Sequence, residues 1–293
     1  MRKDFVIDLS PYGDYHIRPT IWEHFKSLSD LEAGIDRMEP YFDEDYFIDG
    51  PHNPNFNGFS SPEELRGLLK GGVRDTSSIR KVCKLKAASN KSAYVKRQHL
   101  DVMGEEVDVP TYLTGVPECM IDTVKRPVPK KSLRLVIDGS ILGELGVEEL
   151  IEASLVISKV VLSLEKQGRP VILSNFHAAV ANRNLLVTSI DIRRPGSQLD
   201  PRKLLFCTHP SLHRGAIFTW RRRITQNWNV GRSLYVDVDE HSDFVQMLKD
   251  HFFREKELYL IRISDVVEIL EHIERTPGWE DVAATKVFEE FIR

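Results

Sequence analysis

The chain has 293 residues, of which 41% are hydrophobic and 29% charged, as is ordinary for a globular protein with a buried core. No segment approaches the roughly 20 consecutive apolar residues of a membrane span, and the start of the chain lacks the apolar run of a signal peptide, so we expect a soluble intracellular protein with no membrane partner. The three cysteines lie far apart without a Cys-x-x-Cys pair, which disfavours a zinc site built from them.

The net charge of -4 conceals an uneven distribution along the chain. Residues 1–50 carry 12 acidic and 5 basic side chains, a net of -7. Two basic zones follow: residues 66–100 carry 10 basic side chains and 1 acidic one, and residues 193–223 carry 8 and 1. This asymmetry favours an anionic partner, which is either a nucleic acid or an acidic protein surface.

Residues 1–128 are predicted to form an α-rich region that covers the second half of the chain. Apolar side chains at helical spacing predict a helix over residues 19–38. Ser61 as the N-cap, a proline at the first helical position and Glu64 three residues after the cap predict a second, short helix. The remaining predicted elements of this region are a basic helix from Thr76 to about Ser89 and a short strand from Leu100.

Residues 129–293 are predicted to form a separate α/β domain. A hinge is predicted over residues 125–131, because this segment holds two prolines and four basic residues. The predicted order then is strand 132–138, helix 147–167, strand 170–175, strand 185–192, helices across 200–227, strand 233–238, helix 241–252, strand 258–263, helix 265–275 and helix 279–292. This alternation predicts a doubly wound, largely parallel sheet. Helix 147–167 is apolar almost all round, so we expect it to be buried between the sheet and the N-terminal region.

Asp138, Gly139 and Ser140 follow the first strand of this domain, at the end of the strand where open α/β sheets bind their ligands. The segment resembles the opening of a von Willebrand factor A-like domain, in which Asp-x-Ser-x-Ser after the first strand holds a magnesium ion. The resemblance covers roughly residues 132–275. It implies an Mg²⁺ site formed by Asp138, Ser140 and a distal acid. The main candidate for that acid is Asp239 and the other is Asp237, while Thr188 would add a hydroxyl.

Leu142 occupies the second serine position of that motif and offers no oxygen to a hard cation. The alternative is therefore that Asp138 and Ser140 only end the strand and cap the next turn. The cofactor prediction is accordingly either none or Mg²⁺.

A second candidate site is an anion-binding segment in the second basic zone. Its residues are His209, Ser211, Arg214, Arg221, Arg222 and Arg223. Proline and serine suit a helix start, whose free N–H groups attract phosphate, and arginine beside Trp220 suits stacking on bases. The alternative is a solvated face or ion pairs with the acidic N-terminal region, because three consecutive arginines spread around a helix.

A third candidate is a turn-rich motif between residues 101 and 120. Its residues are Asp101, Gly104, Asp108, Gly115, Pro117 and Glu118. The glycines and prolines fit tight turns, and Glu118 is predicted to be a buried or cleft carboxylate. The motif is interpreted either as a structural lid on the edge of the sheet or as a catalytic loop.

Together with residues 56–65 and 209–214, this motif resembles an uncharacterised family of tailed-bacteriophage proteins. The resemblance spans most of residues 45–275. It implies a phage or prophage origin and carries no activity with it.

The sequence lacks the phosphate-binding loop, the dinucleotide-binding glycine pattern, the zinc-protease motif and the esterase nucleophile motif. We therefore expect a non-enzymatic protein-interaction protein of a phage. Its partner would be viral or host, in virion assembly or against a host factor, in the host cytoplasm or the virion. The alternative is a nucleic-acid-binding or metal-dependent phosphodiester-acting protein, with Asp138, Glu118 and Asp239 around Mg²⁺. A self-assembling structural protein is a third hypothesis.

Overall fold

A computed structural model describes most of the chain. The described residues are 2–9, 17–36, 58–83, 94–104, 106–127, 132–139, 145–181, 184–195, 197, 200–225, 232–233, 241–255 and 257–292. Within them lie a main sheet with helices on both faces and a separate three-stranded sheet.

The strands are numbered in chain order. They are β1 Arg2–Asp8, β2 Ile17–Phe25, β3 Tyr94–Asp101, β4 Glu106–Val107, β5 Met120–Pro127, β6 Leu133–Asp138, β7 Val171–Ala181, β8 Asn184–Arg193, β9 Arg232–Ser233 and β10 Leu258–Arg262.

The helices are numbered in the same way. They are α1 Leu28–Asp36, α2 Pro62–Gly71, α3 Thr76–Cys83, α4 Val109–Leu113, α5 Val147–Lys166, α6 Pro201–Leu205, α7 Phe218–Thr225, α8 His241–Met247, α9 Ile263–Glu271 and α10 Trp279–Phe291. A 3₁₀ turn spans Phe206–Thr208, and two π-helical segments span Ser211–Ile217 and Leu248–Phe252. None of the helices that the structure describes combines the length and the apolar composition needed to cross a bilayer.

The main sheet has the order β1-β2-β8-β7-β6-β10, with β9 beside the second half of β7. The pairs β2–β8, β6–β7 and β6–β10 are parallel, whereas β1–β2, β7–β8 and β7–β9 are antiparallel. The α/β class is thus confirmed, with a mixed sheet that is mostly parallel along its main path. The predicted helices and strands of the C-terminal half are present, most of them with small shifts at their ends. Strand β7, however, extends six residues past its predicted end, and residues 234–238 lie outside the described residues.

The two faces of the sheet bury separate apolar clusters, because side chains alternate along each strand. In β6, which is buried along its whole length, Leu133, Leu135 and Ile137 pack on the face that carries α5. Val136 packs on the opposite face with Phe244 of α8. Strands buried on both faces read as continuous apolar runs, which is why the sequence predicted β6 correctly.

Helix α5 is buried, as its apolar circumference predicted. The N-terminal region contributes α3 to its cover, but α6, α9 and α10 from the C-terminal half also pack on it. The predicted cover by the N-terminal region is therefore only part of the arrangement.

The N-terminal region is less helical than predicted. Helix 19–38 was wrong over its first part, where β2 pairs with β1 on one side and with β8 on the other. Only α1 remains helical. Ile21, Trp22 and Phe25 imitate helical spacing. Trp22 and Phe25 belong to the apolar clusters on opposite faces of the sheet, and a strand buried on both faces does not show a clean alternation of apolar residues.

The main sheet is continuous across the predicted domain boundary at residue 129. Strand β2 from the N-terminal region pairs directly with β8 from the C-terminal half. The predicted hinge also begins inside β5, and residues 128–131 lie outside the described residues. The β2–β8 pairing thus makes both halves of the chain parts of one sheet.

Candidate functional site

Asp138 ends β6 at a point where the order of the strands in the sheet reverses. From β6 the chain passes through α5 to β7 on one side, whereas β10 lies on the other side of β6. The register places Asp138 opposite Arg262, the last residue of β10. Such a switch point, at the carboxyl ends of parallel strands, is where open α/β sheets bind ligands.

Asp138 belongs to a cluster of opposite charges at this edge of the sheet. Its side chain is buried, as are those of Arg221 in α7 and Arg262 in β10. Burial lowers the pKa of the Arg221 guanidinium to about 10, and the charge of Asp138 partly opposes that shift. Burial raises the pKa of Asp265, in the first turn of α9, to about 6. The charge of Arg262 opposes this rise, and the charge of Asp138 adds to it. The cluster therefore holds one buried and one half-buried carboxyl group beside two buried guanidinium groups.

Only some of the residues predicted to hold magnesium lie within the described part of the chain. Ser140, Asp237 and Asp239 lie outside the described residues. Within the described part of the chain, no group of three or more histidine, cysteine or acidic side chains is arranged to hold a metal. Because the buried Arg221 guanidinium interacts with the Asp138 charge, a metal ion there would compete with a cation that the protein itself supplies. The described residues thus fit a charge pair better than a magnesium site.

Two buried imidazoles lie beside this cluster. His213 Nε2 lies 2.8 Å from the carbonyl oxygen of Cys207, and a carbonyl only accepts, so Nε2 carries the proton. His213 Nδ1 is then free to accept the hydrogen bond that His177 Nε2 donates. Burial lowers the pKa of His177 well below its ordinary range and that of His213 to about 3, so both rings are neutral. The sequence alone gives no sign of this pair, since nothing local in β7 marks His177.

Gly139 makes this arrangement sterically feasible. A methyl group on its Cα would overlap the rings of both His177 and His213. The glycine after Asp138 therefore allows the backbone to pass close to the imidazole pair.

The residues of the predicted anion-binding segment lie largely in the interior. His209, Ser211, Arg214 and Arg221 are all buried, and burial lowers the pKa of His209 to about 4. The side chains of Arg222 and Arg223 lie outside the described residues.

Several donors of this segment are already engaged. The Ser211 N–H donates to His209 Nδ1 at 3.2 Å, and its hydroxyl donates to the carbonyl of Gly58 at 3.0 Å. Arg214 Nη2 donates to the carbonyl of Leu145 at 2.5 Å. Anion binding by these residues stays a prediction, and an anion at this place would have to displace these bonds.

The turn-rich motif lies in the separate sheet, which has the order β3-β5-β4. We call residues 94–127, which contain this sheet and α4, the lobe. Asp108 caps α4 by accepting from the backbone N–H and the hydroxyl of Thr111. Gly115 has a φ of +77° in the turn after α4, and only glycine adopts this without strain. Asp101 ends β3, whereas Gly104 and Pro117 are exposed. The tight turn predicted at Gly115 is thus present, whereas Pro110 lies in the first turn of α4.

Glu118 is exposed, so its prediction as a buried or cleft carboxylate was wrong. The physical reason is that β5 begins only at Met120, so Glu118 belongs to a turn that faces solvent among the described residues.

The lobe carries a concentration of exposed apolar side chains. These are Leu100, Val102, Met103, Val107, Val109, Tyr112, Leu113 and Val116. Met103 is 78% exposed and Leu113 is 77% exposed, and elsewhere in the described residues Val6 and Val282 are the other large apolar side chains that are exposed.

The charged side chains described among them are all acidic. They are Asp101, Glu106, Asp108 and Glu118, and residues 100–121 contain no lysine or arginine. We call the exposed apolar side chains together with these four acids the lobe surface. Apolar side chains left in water at this density are typical of a surface that binds another protein.

Comparisons with known proteins gave one match. Neither the curated proteins nor the solved structures include a chain that matches this one. A family model described as a domain of unknown function (DUF7192) matches residues 13–291, which is almost the whole chain. The chain therefore belongs to the DUF7192 family.

Proposed function

We propose that this chain is a non-enzymatic protein-interaction protein that binds its partner through the lobe surface. The observation that carries the proposal is the set of eight exposed apolar side chains between residues 100 and 116, accompanied by acidic charge alone. Leaving such side chains in water costs about 25 cal/mol per Å² of apolar area relative to burial, which is the driving force that a partner would recover.

The chemistry of the lobe surface defines the partner. A matching protein surface has apolar side chains at its centre and lysine or arginine around them. Complementary charge raises the rate of association and makes it sensitive to salt, while the apolar side chains supply the affinity. The partner is a viral or host protein, and the role is virion assembly or the blocking of a host factor.

The proposal includes a phage origin, with action in the host cytoplasm or in the virion, on the strength of the sequence resemblance to tailed-bacteriophage proteins. It also includes a von Willebrand A-like arrangement of the C-terminal half. In favour of that arrangement, the order β8-β7-β6-β10 corresponds to the 3-2-1-4 part of a doubly wound sheet, with helices on both faces. Strand β8 departs from a purely parallel pattern by running antiparallel to β7.

The test begins with capture of candidate partners on the immobilised full chain, followed by binding measurements between purified proteins. The variant Met103→Ser/Leu113→Ser removes two of the most exposed apolar side chains, and Val282→Ser on α10 removes an exposed apolar side chain outside the lobe. We expect the double variant to weaken binding at least about tenfold, as loss of interface anchors does, and the Val282→Ser control to bind like the parent.

Three results would contradict the proposal. One is a purified partner that binds the double variant as tightly as the parent chain. Another is self-association of the chain through the lobe surface in sedimentation experiments, which would make a second copy the partner. The third is salt-sensitive binding of DNA or RNA that the double variant retains, which would favour the nucleic-acid alternative.

The nucleic-acid alternative has less support among the described residues. In the first basic zone, Arg66 lies 3.6 Å from Glu63, Lys70 lies 2.7 Å from Glu32 and Lys81 lies 3.6 Å from Glu280. These pairs compensate charge that phosphates would otherwise attract.

A further inference from the structure

A cavity of about 600 Å³ lies outside the carboxyl ends of β2 and β8. At one wall of the cavity, Lys26 and Ser27 follow β2, Arg193 ends β8 and Arg194 follows it. Residues of α6 form the other wall. Strands β2 and β8 are parallel neighbours, and the carboxyl ends of such strands are the usual place of ligand binding in α/β sheets. The volume lies within the range of sites for small molecules.

Four basic side chains line this cavity, and two of them are already paired. Arg193 Nη1 lies 2.6 Å from Glu165 Oε1. Arg194 donates twice to Asp191 Oδ2, at 2.9 Å from Nε and 2.7 Å from Nη2. The other two are Lys26 and Lys203, which make no ion pair within the part of the chain that the structure describes. Their two ammonium groups therefore leave uncompensated positive charge at the cavity.

The acidic side chains at the cavity cancel this charge only in part. Burial acts to raise the pKa of Asp191, but His24 and Arg134 outweigh it, so the pKa lies below its ordinary range and the carboxylate stays charged. That charge is already shared between Arg134 at 2.8 Å and Arg194. Asp200 accepts from the backbone N–H of Arg202 at 3.0 Å as the cap of α6. Arg193 also keeps a buried Nε–H without an acceptor among the described residues.

Part of the lining is apolar. It is formed by Ile192, Pro201 and Leu204, of which Ile192 and Leu204 are buried in the core behind the cavity. A ligand that fits both the basic and the apolar parts of the lining has an anionic group and a compact apolar or aromatic part.

We propose that this cavity binds a small phosphorylated organic molecule of nucleotide size, with Lys26 and Lys203 as the residues that hold the phosphate. Two ammonium groups match a phosphate dianion better than a single carboxylate charge. Arg193 and Lys203 lie in the second basic zone, before the segment for which the sequence predicts anion binding.

The test uses calorimetric titration of the full chain at low salt with adenosine monophosphate, ribose 5-phosphate and unphosphorylated adenosine. We expect the monophosphate to bind and adenosine not to bind. Binding of ribose 5-phosphate as well would show recognition of the sugar phosphate alone, and its failure would show that the base contributes; both outcomes support the proposal.

The Lys26→Gln/Lys203→Gln variant should weaken the binding of the monophosphate at least about tenfold, since each lost contact to a charged group removes a substantial part of the affinity. The matched control is Lys286→Gln, an exposed lysine on α10 away from the cavity. The double variant should unfold at the same temperature as the parent, because neither lysine makes an ion pair in the described residues.

Two outcomes would overturn the proposal: no binding of either phosphorylated probe at millimolar concentration, or equal binding by the parent and the double lysine variant. This site is separate from the lobe surface. The Leu113→Ser change should therefore leave phosphate binding intact, so failure of one proposal can be told from failure of the other.

Discussion

At the carboxyl end of β6, two neutral imidazoles lie beside charged carboxylate and guanidinium groups. His177 and His213 stay neutral mainly because burial disfavours the imidazolium, and the charge of Arg221 adds to that effect. A lowered pKa in the folded state means that the unfolded chain takes up protons first as the pH falls below about 6.5. These histidines therefore make the folded state less stable as the solution is acidified through that range.

Gly139→Ala tests the close approach of the backbone to the imidazole pair. The added methyl group would overlap both rings, and we expect the free energy of unfolding in urea titrations to fall by about 1–3 kcal/mol, as in other overpacked sites. Gly71→Ala is the matched control, because a methyl group at the end of α2 meets no atom within 4 Å and should be neutral or slightly stabilising. Equal stability of the two variants would rule out the close contact.

Asp265→Asn tests the charge cluster through its pH dependence. A folded-state pKa of about 6, above the ordinary 3.8, means that the unfolded chain loses this proton first as the pH rises, so ionisation of Asp265 opposes folding progressively between about pH 4 and pH 6 and in full above that range. We expect the variant to be more stable than the parent at pH 7 and the difference to shrink as the pH falls towards 4.

Urea titrations at several pH values measure this difference. Glu274→Gln serves as the exposed control, which should show no such convergence. A difference that stays constant from pH 7 to pH 4 would refute the raised pKa of Asp265.

At the scale of elements, local sequence signals determine helix α2, whereas strand β2 depends on pairing with distant segments. Helix α2 begins where its sequence predicts, since Ser61 Oγ accepts from the Glu64 N–H at 3.2 Å and Glu64 Oε2 accepts from the Ser60 N–H at 2.7 Å. These contacts join residues within one turn, so the chain itself contains all of the information. Strand β2 was predicted as helix because its pairing partners, β1 and β8, are determined by the whole sheet.

Ser61→Ala tests the cap of α2. Loss of the side-chain acceptor leaves the N–H of Glu64 unpaired, and we expect the free energy of unfolding to fall by about 1 kcal/mol. Ser61→Asp keeps an acceptor at the cap and should retain most of the stability. Thermal unfolding of the three proteins checks this order, and an alanine variant as stable as the parent would mean that the cap contributes nothing.

At the scale of the whole molecule, the main sheet joins both halves of the chain while the lobe has a sheet of its own. A fragment of residues 129–293 would expose the edge of β8 that β2 covers and would lose Ile7 and Trp22 from the apolar cluster on one face. Exposed edges of this kind pair with other chains.

We expect the fragment 129–293 to aggregate or to lack cooperative unfolding. The control is a chain in which a short glycine-serine turn replaces residues 95–126, since the antiparallel register places Tyr94 beside Pro127. That chain should keep a cooperative transition in circular dichroism and elute as a folded protein. Cooperative unfolding of the fragment alone would instead support the predicted boundary at residue 129.

The amino-acid sequence by itself determined the β6–α5–β7 unit, the capped helix α2, the turns of the lobe and the α/β class. In each case the signal is local: a continuous apolar strand, an apolar helix circumference, or capping and turn residues within one turn of chain. The tertiary structure decided that β1 and β2 extend the main sheet, that His177 meets His213, and that Lys26 and Lys203 line one cavity. These depend on which distant segments come together, and that choice is made by the burial of both faces of the sheet and the pairing of its backbone groups, neither of which is visible in the spacing of neighbouring residues.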